Sequence, residues 1–263
     1  MHSLHGHKLL NIAVTLLLLI TLFVSICCTG IHLPSVAYTW MIIWFVLAIV
    51  ASAAANYEFA PCYLINVFSL LVAWRLAALY QINMVCYLAF LAFILLFANF
   101  IYCVINNLRD PNQERISLAA WQLIFVRLYI GFDFIPHFTE KLFAGIGPRS
   151  LDIVGFTHLG VPDPVFFVWL AGLCELGAAI AIGLGLFMRL GAFGAVLYLM
   201  IATYLGHHFS LGFIWANEGG GWEYVVMWSA LIFSFVVTGY HQFSLDHYLE
   251  NKFNLPEWMR KIM

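Results

Sequence analysis

The chain alternates between long apolar runs and short polar connections. Eight runs approach the length of about 20 residues that a helix needs to cross a bilayer: 9–28, 35–55, 62–80, 84–105, 118–135, 164–187, 190–213 and 222–240. The pattern therefore predicts an all-α integral membrane protein with eight transmembrane helices. The turn between the third and fourth runs is very short, so a re-entrant pair is the alternative there. Residues 26–28 do not match a small-residue cleavage site, so the first run is expected to be a retained helix rather than a signal peptide.

Composition excludes a soluble globular domain. Of the 263 residues, 64% are hydrophobic and 9% are charged, and the mean hydropathy is +0.94. A soluble domain carries about 25% charged residues. The 11 Lys and Arg residues are scattered and form no basic patch, so nucleic acid is not expected as a partner. The lipid bilayer is an expected partner.

One polar stretch, residues 106–115, divides the chain, because its Asn and Pro residues favour a loop. The expected domains are 1–107, a four-helix membrane region for scaffolding or docking; 108–117, a cytoplasmic linker; 118–246, a second four-helix bundle; and 247–263, a cytoplasmic tail. Within the spans of the first region Arg75 is the one ionisable residue, and its helix faces are otherwise expected to be apolar.

The distribution of positive charge predicts the orientation. Eight spans with a cytoplasmic N-terminus return the C-terminus to the cytoplasm and leave seven Lys and Arg residues on that side: Lys8, Arg109, Arg115, Arg189, Lys252, Arg260 and Lys261. Two, Lys141 and Arg149, fall on the outer side. This excess is the usual positive-inside bias.

Two opposite charges are expected inside the membrane. Arg127 lies ten residues into the fifth run and Glu175 about twelve into the sixth, so antiparallel helices bring both near the midplane. A lone charge there costs about 2.5–3.5 kcal/mol, so such residues usually pair inside the bundle. The small residues Ala171, Ala179 and Gly183 share the face of Glu175 and permit close helix approach. We expect an Arg127–Glu175 ion pair, either as a structural clamp or as part of a site.

Histidines and carboxylates gather at the outer ends of the last four runs. The catalytic candidates, taken together with the midplane pair, are Arg127, Glu175, Asp133, His137, His207 and Glu223. Histidine with carboxylates suits proton transfer or metal ligation, whereas interfaces also collect such residues for reasons unrelated to function. No H-E-x-x-H motif is present, so no metal is expected.

The connection between the fifth and sixth runs, residues 137–164, is long and partly amphipathic. Its apolar residues alternate with Gly, Arg149 and Asp152, which is typical of a short helix lying at the membrane interface. Such a helix is either a lid over the polar residues or a simple connector.

A set of residues in the second half resembles the DoxX family of four-helix membrane proteins. It spans about residues 118–246 and comprises, in chain order, Arg127, Gly131, Phe134, Lys141-Leu142, Gly160-Val161-Pro162, the run 171–177, Gly183-Leu184-Gly185, Arg189, Met200, His207 and Ser244-Leu245-Asp246. The resemblance implies a four-helix bundle, here preceded by four extra helices. Some relatives are membrane subunits of a thiosulfate:quinone oxidoreductase, and related bundles serve in cofactor maturation or cargo handling.

The cysteines depart from the pattern of thiol-redox bundles. The six cysteines form no C-x-x-C motif, which argues against a vitamin-K-epoxide-reductase-like reaction. The cysteines that fall within the apolar runs are expected to be buried apolar side chains.

Two functional hypotheses follow. In the first, the second bundle holds a quinone in an apolar slot with a few polar groups, and the chain is a redox-associated membrane subunit that works with other membrane or extracytoplasmic subunits. In the second, it is a non-enzymatic scaffold or assembly factor for a larger complex. A transporter is disfavoured because the halves show no repeat. The bacterial inner membrane is the expected location.

Overall fold

The computed structural model describes residues 2–29, 33–109 and 116–263, and every regular element in these ranges is a helix. The helices are α1 (His2–Thr29), α2 (Ser35–Ala54), α3 (Phe59–Leu79), α4 (Asn83–Arg109), α5 (Leu118–Leu142), α6 (Ile146–His158), α7 (Pro164–Ala178), α8 (Met188–Leu205), α9 (Glu223–Thr238), α10 (Leu245–Lys252) and α11 (Glu257–Ile262). A π-helical segment, Ala179–Gly185, continues α7, and a 3-10 turn, His208–Leu211, follows α8. Residues 110–115 of the predicted linker lie outside the described ranges.

Within the described part of the chain, seven helices are long and apolar enough to cross a membrane. They are His7–Cys27, Ser35–Ala54, Phe59–Leu79, Asn83–Arg109, Leu118–Leu142, Pro164–Gly185 and Met188–Leu205. The eighth predicted span corresponds to α9, an apolar helix of 16 residues, which is about 24 Å long at 1.5 Å per residue. The chain is therefore a multi-pass membrane protein.

The chain forms two compact units. The first is Met1–Phe125 with Phe143–Gly145, and the second is Val126–Leu142 with Ile146–Met263. The division falls two turns into α5 rather than in the predicted linker. The start of α5 belongs to the first unit because Trp121 and Phe125 both pack edge-on against Phe100 of α4.

The first unit is a four-helix arrangement with a polar interior. In it, α1 and α3 each pack against both α2 and α4. The sequence predicts apolar faces here, yet the Nδ2 of buried Asn99 donates to Oδ1 of buried Asn11 at 2.6 Å. His7 donates to Asn99 at 2.7 Å, and Asn11 donates to Asn56 at 3.2 Å. Hydrogen bonds of this kind join membrane helices that have no hydrophobic reason to associate.

The second unit depends on a longer α5 than the sequence predicts. The apolar run ends at residue 135, but the helix continues through Pro136 to Leu142. Gly131 of α5 lies directly against the π-helical segment, since a Cβ added there would stand 2.2 Å from the backbone nitrogen of Gly183. The predicted close approach of small residues is confirmed.

The short helix predicted in the connection 137–164 is present as α6. Arg149 attaches it to the end of α5, because its guanidinium donates to the carbonyl oxygens of Lys141 at 2.6 Å and Leu142 at 3.2 Å. These are among the last carbonyls of α5, which have no partner within the helix. The same guanidinium lies 3.9 Å from the ring centre of Trp169 in α7, so one side chain joins three helices.

Candidate functional site

A cavity of about 500 Å³ lies within the second unit. Most of its wall is aliphatic or aromatic, with contributions from α6, α7 and α8 that include Phe156, Phe167, Leu170, Leu197, Ile201 and Leu205. The ionisable side chains in the wall are Lys141, Asp152, Cys174, Glu175, Tyr198 and His208. Ligand sites in proteins usually have this size and this combination of an apolar wall with a few polar groups.

Glu175 is the centre of the polar part of the wall. Its side chain is 7% exposed, and the ammonium of Lys141 lies 3.1 Å from each of its two carboxylate oxygens. The hydroxyl of Tyr198 on α8 donates to Oε1 at 2.6 Å. Because a buried carboxylate needs both a counter-charge and hydrogen bonds, Lys141 and Tyr198 together are what allow it to stay in this position.

The predicted Arg127–Glu175 ion pair is wrong, because Lys141 takes the place of Arg127. The prediction ended the fifth helix at residue 135 and left Lys141 in the outer loop. Since α5 runs on to Leu142, Lys141 belongs to the same helix as Arg127, almost four turns further along. In an antiparallel pair, moving forward along α5 from Arg127 corresponds to moving back from the π-helical segment to the last turn of α7, where Glu175 lies.

Arg127 is fully buried, and its guanidinium binds backbone carbonyl groups. Its Nη1 donates to the carbonyl oxygens of Ile182 at 3.0 Å and Gly183 at 2.9 Å, and its Nη2 donates to the carbonyl of Phe243. The π-helical segment widens the helix at this point, so these carbonyls can accept from outside it. Arg127 therefore ties α5 to the end of the α7 span and to the segment before α10, which is the structural role that the sequence left open.

Asp152 and His208 complete the cavity and were missed as site residues. Asp152 lies on α6, three residues after Arg149, and its Oδ2 is buried without a hydrogen bond from any described residue. Burial raises the pKa of Asp152, although Lys141 opposes the shift. His208 follows α8, and its Nδ1 lies 3.1 Å from the carbonyl of Gly220. The amphipathic pattern of α6 was the available signal for Asp152.

The remaining predicted residues lie elsewhere in the second unit. Asp133 is half-buried on α5, whereas the side chains of His137 and His207 are exposed and do not line the cavity. The carbonyl of His137 accepts from Lys141 at 3.3 Å. Glu223 accepts the backbone N–H of Trp215 at 3.1 Å, so it orders the loop before α9. Their catalytic roles stay predictions.

The described cysteines are free thiols. Cys174 is exposed and lines the cavity, and Cys62, Cys86 and Cys103 are partly exposed, so the prediction of buried cysteines is wrong. It failed because an apolar run does not reveal which of its faces looks outward. Among the described residues no group of three His, Cys, Asp or Glu side chains is arranged to hold a metal ion.

The fold and the cavity define a class, namely a multi-pass helical membrane protein with a ligand-sized cavity in its second helical unit. Residues 122–208 match the model of the DoxX family, so the resemblance in the sequence is confirmed. The match covers about a third of the chain and includes every residue that lines the cavity, from Lys141 to His208. No curated protein and no solved structure matches the chain.

Proposed function

We propose that the DoxX-like half binds an isoprenoid quinone and that the protein is a quinone-linked, redox-associated membrane subunit. One observation carries the proposal, namely the cavity whose wall is apolar except for the buried Lys141, Glu175 and Tyr198 group. A quinone has the matching chemistry, because its isoprenoid tail is apolar and its head carries two oxygen atoms that need polar partners.

The residues of the cavity suit the proton chemistry of a quinone. Reduction to the quinol consumes two electrons and two protons, and oxidation releases them. In our proposal a reduced sulfur compound, oxidised at a partner subunit, supplies the two electrons. Asp152, Glu175 and His208 are the cavity groups able to exchange protons with the head, and Tyr198 orients it.

We further propose that α9 is the eighth membrane span and that both termini face the cytoplasm of a bacterial inner membrane. A 16-residue helix is short for a span, but thinning of the bilayer accommodates a modest mismatch. The cavity then opens toward the outer side, where α5 and α8 end. The first unit, which contributes no residue to the cavity, is the proposed docking region for partner subunits.

Filling the cavity tests the proposal. Gly194 of α8 lines it, and a Cβ added there meets nothing within 4 Å, so Gly194→Leu reduces the space without a backbone clash. Gly177→Leu is the matched control, because Gly177 is a helical glycine with the same free surroundings that does not line the cavity. We expect Gly194→Leu to lower bound quinone at least tenfold, and Gly177→Leu to leave it unchanged.

The measurement is mass spectrometry of quinone extracted from full-length protein in mild detergent, with a titration of decyl-ubiquinone. If the unaltered protein neither contains quinone nor binds decyl-ubiquinone, the proposal fails. Co-purification of a stable partner complex would then favour the scaffold function. Equal binding by Gly194→Leu and the unaltered protein would place the quinone outside this cavity.

A further inference from the structure

Most of the hydrogen-bond donors at the polar end of the cavity are already engaged. Lys141 has three ammonium hydrogens, and it donates two of them, to the carbonyl of His137 at 3.3 Å and to Oε1 of Glu175 at 3.1 Å. Its ammonium also lies 3.1 Å from Oε2 of Glu175, but without the geometry of a hydrogen bond. The single hydroxyl hydrogen of Tyr198 points to Glu175 at 2.6 Å. Tyr198 therefore has no hydrogen left for a ligand, and Lys141 keeps one that lies beside Oε2 of Glu175.

Most of the atoms that remain are acceptors. The hydroxyl oxygen of Tyr198 keeps its lone pairs, and Oε2 of Glu175 is buried and receives no hydrogen bond from the residues the structure describes. Oδ2 of Asp152 is buried and receives no hydrogen bond from the residues the structure describes. His208 has to donate from Nδ1 to the carbonyl of Gly220, since a carbonyl only accepts, so in the matching tautomer Nε2 is the nitrogen that can accept.

From this arrangement we infer that the cavity selects a ligand head that donates hydrogen bonds, and that of the two redox forms of a quinone it holds the quinol. This inference rests on the proposed function. A quinone head presents two carbonyl oxygens, which only accept, and would leave the acceptors in the wall unpaired. A quinol presents two hydroxyls, whose hydrogens match Asp152 and the Glu175–Tyr198 pair. An unpaired buried polar atom is costly, so the difference favours the quinol.

Selective binding of the quinol has a redox consequence. When a site binds the reduced form more tightly than the oxidised form, the bound couple becomes easier to reduce. For a two-electron couple each tenfold preference raises the reduction potential by about 30 mV. The site therefore favours electron transfer from the reduced sulfur donor to the quinone.

The test is a pair of anaerobic titrations of the full-length protein in detergent, one with decyl-ubiquinol and one with decyl-ubiquinone. We expect the quinol to bind at least tenfold more tightly. Asp152→Asn should reduce the preference to less than threefold, because an asparagine amide can turn its NH₂ toward a quinone carbonyl. Glu218→Gln, which removes one carboxylate on an exposed loop that does not line the cavity, should keep the full preference.

Each outcome separates this inference from the proposed function. Equal affinities, or tighter binding of the quinone, overturn the inference while leaving quinone binding in place. Binding of neither form overturns both. A full preference for the quinol in Asp152→Asn excludes Asp152 as an acceptor for the ligand, and this outcome overturns the inference that a quinol hydroxyl donates to Asp152.

Discussion

At the scale of single residues, the central feature of the cavity is the buried carboxylate of Glu175. Its ion pair with Lys141 lies inside the membrane spans, and the side chains of Lys141 and Glu175 are only 9% and 7% exposed. Removing one partner of a buried pair costs about 3–5 kcal/mol, whereas replacing both by apolar residues of similar volume is often neutral or stabilising. The pair can therefore be tested for structure and for binding separately.

We expect Glu175→Gln to lower the stability of the protein by about 3–5 kcal/mol, because it leaves the ammonium of Lys141 without a counter-charge. The double variant Lys141→Met with Glu175→Leu should recover most of this loss and still fail to bind decyl-ubiquinol. Thermal unfolding in detergent and ligand titration measure the two effects. Quinol binding by the stable double variant would show that the pair is a structural clamp only.

Asp152 should make the proposed binding of quinol sensitive to pH. Burial raises its pKa; Lys141 and His137 oppose the shift and Glu140 adds to it. As the pH falls through this raised pKa, Asp152 gains a proton and becomes a donor, so the preference for quinol over quinone should decrease at a pH above the ordinary aspartate value of about 4. Titrations across this range should show the decrease in the unaltered protein. An identical profile in Asp152→Asn would contradict the assignment.

At the scale of helices, a distant segment completes the start of α8. The backbone bends through Phe187, whose φ is 51°, and leaves the first N–H groups of α8 without partners in the helix. Asp246, at the start of α10 and fully buried, accepts from the N–H groups of Phe187 at 2.8 Å and Met188 at 3.0 Å. Ser244 in turn caps α10 by accepting from the N–H of His247 at 3.1 Å. These contacts give a physical reason for the Ser244-Leu245-Asp246 segment of the family resemblance.

Asp246→Ala should lower stability by about 1–3 kcal/mol, because two buried N–H groups lose their acceptors. Asp246→Asn keeps one acceptor oxygen, so its stability should lie between that of Asp246→Ala and that of the unaltered protein. Glu257→Ala, at an exposed position on α11, serves as a control that leaves the melting temperature unchanged. If Asp246→Ala has the same melting temperature as the Glu257→Ala control, the cap by Asp246 contributes nothing to stability.

At the scale of the whole molecule, the two units differ in what they bury. In the first, hydrogen bonds between asparagine and histidine side chains join the helices, and Asn11 and Asn99 are buried. The second contains the ligand-sized cavity and the part of the chain that matches the DoxX family. In our proposal the first unit serves as the docking region and the second binds the ligand.

The proposed topology makes a prediction of its own, since an even number of spans returns the chain to its starting side. We expect a fluorescent protein fused to the C-terminus to be fluorescent and an alkaline phosphatase fused at the same place to be inactive. A phosphatase fused after His158, at the end of α6, should be active because it would lie on the outer side. An active C-terminal phosphatase would instead indicate seven spans.

Much of the architecture follows from the sequence alone. Long apolar runs dictate membrane helices, because in a bilayer a chain segment must satisfy its own backbone hydrogen bonds. The four-residue spacing of Ala171, Glu175, Ala179 and Gly183 predicted an inward face, and all four residues are buried. The family resemblance and the short helix α6 were likewise predicted from local sequence patterns.

The partners of the buried charges were decided only by the tertiary structure. Glu175 pairs with Lys141 because α5 continues through Pro136 and brings the lysine level with the last turn of α7. Arg127 binds backbone carbonyls because a π-helical segment makes them available. Hydropathy along the chain determines which segments enter the membrane, but it does not contain the helix lengths and registers that bring side chains together. Those depend on packing between segments far apart in sequence.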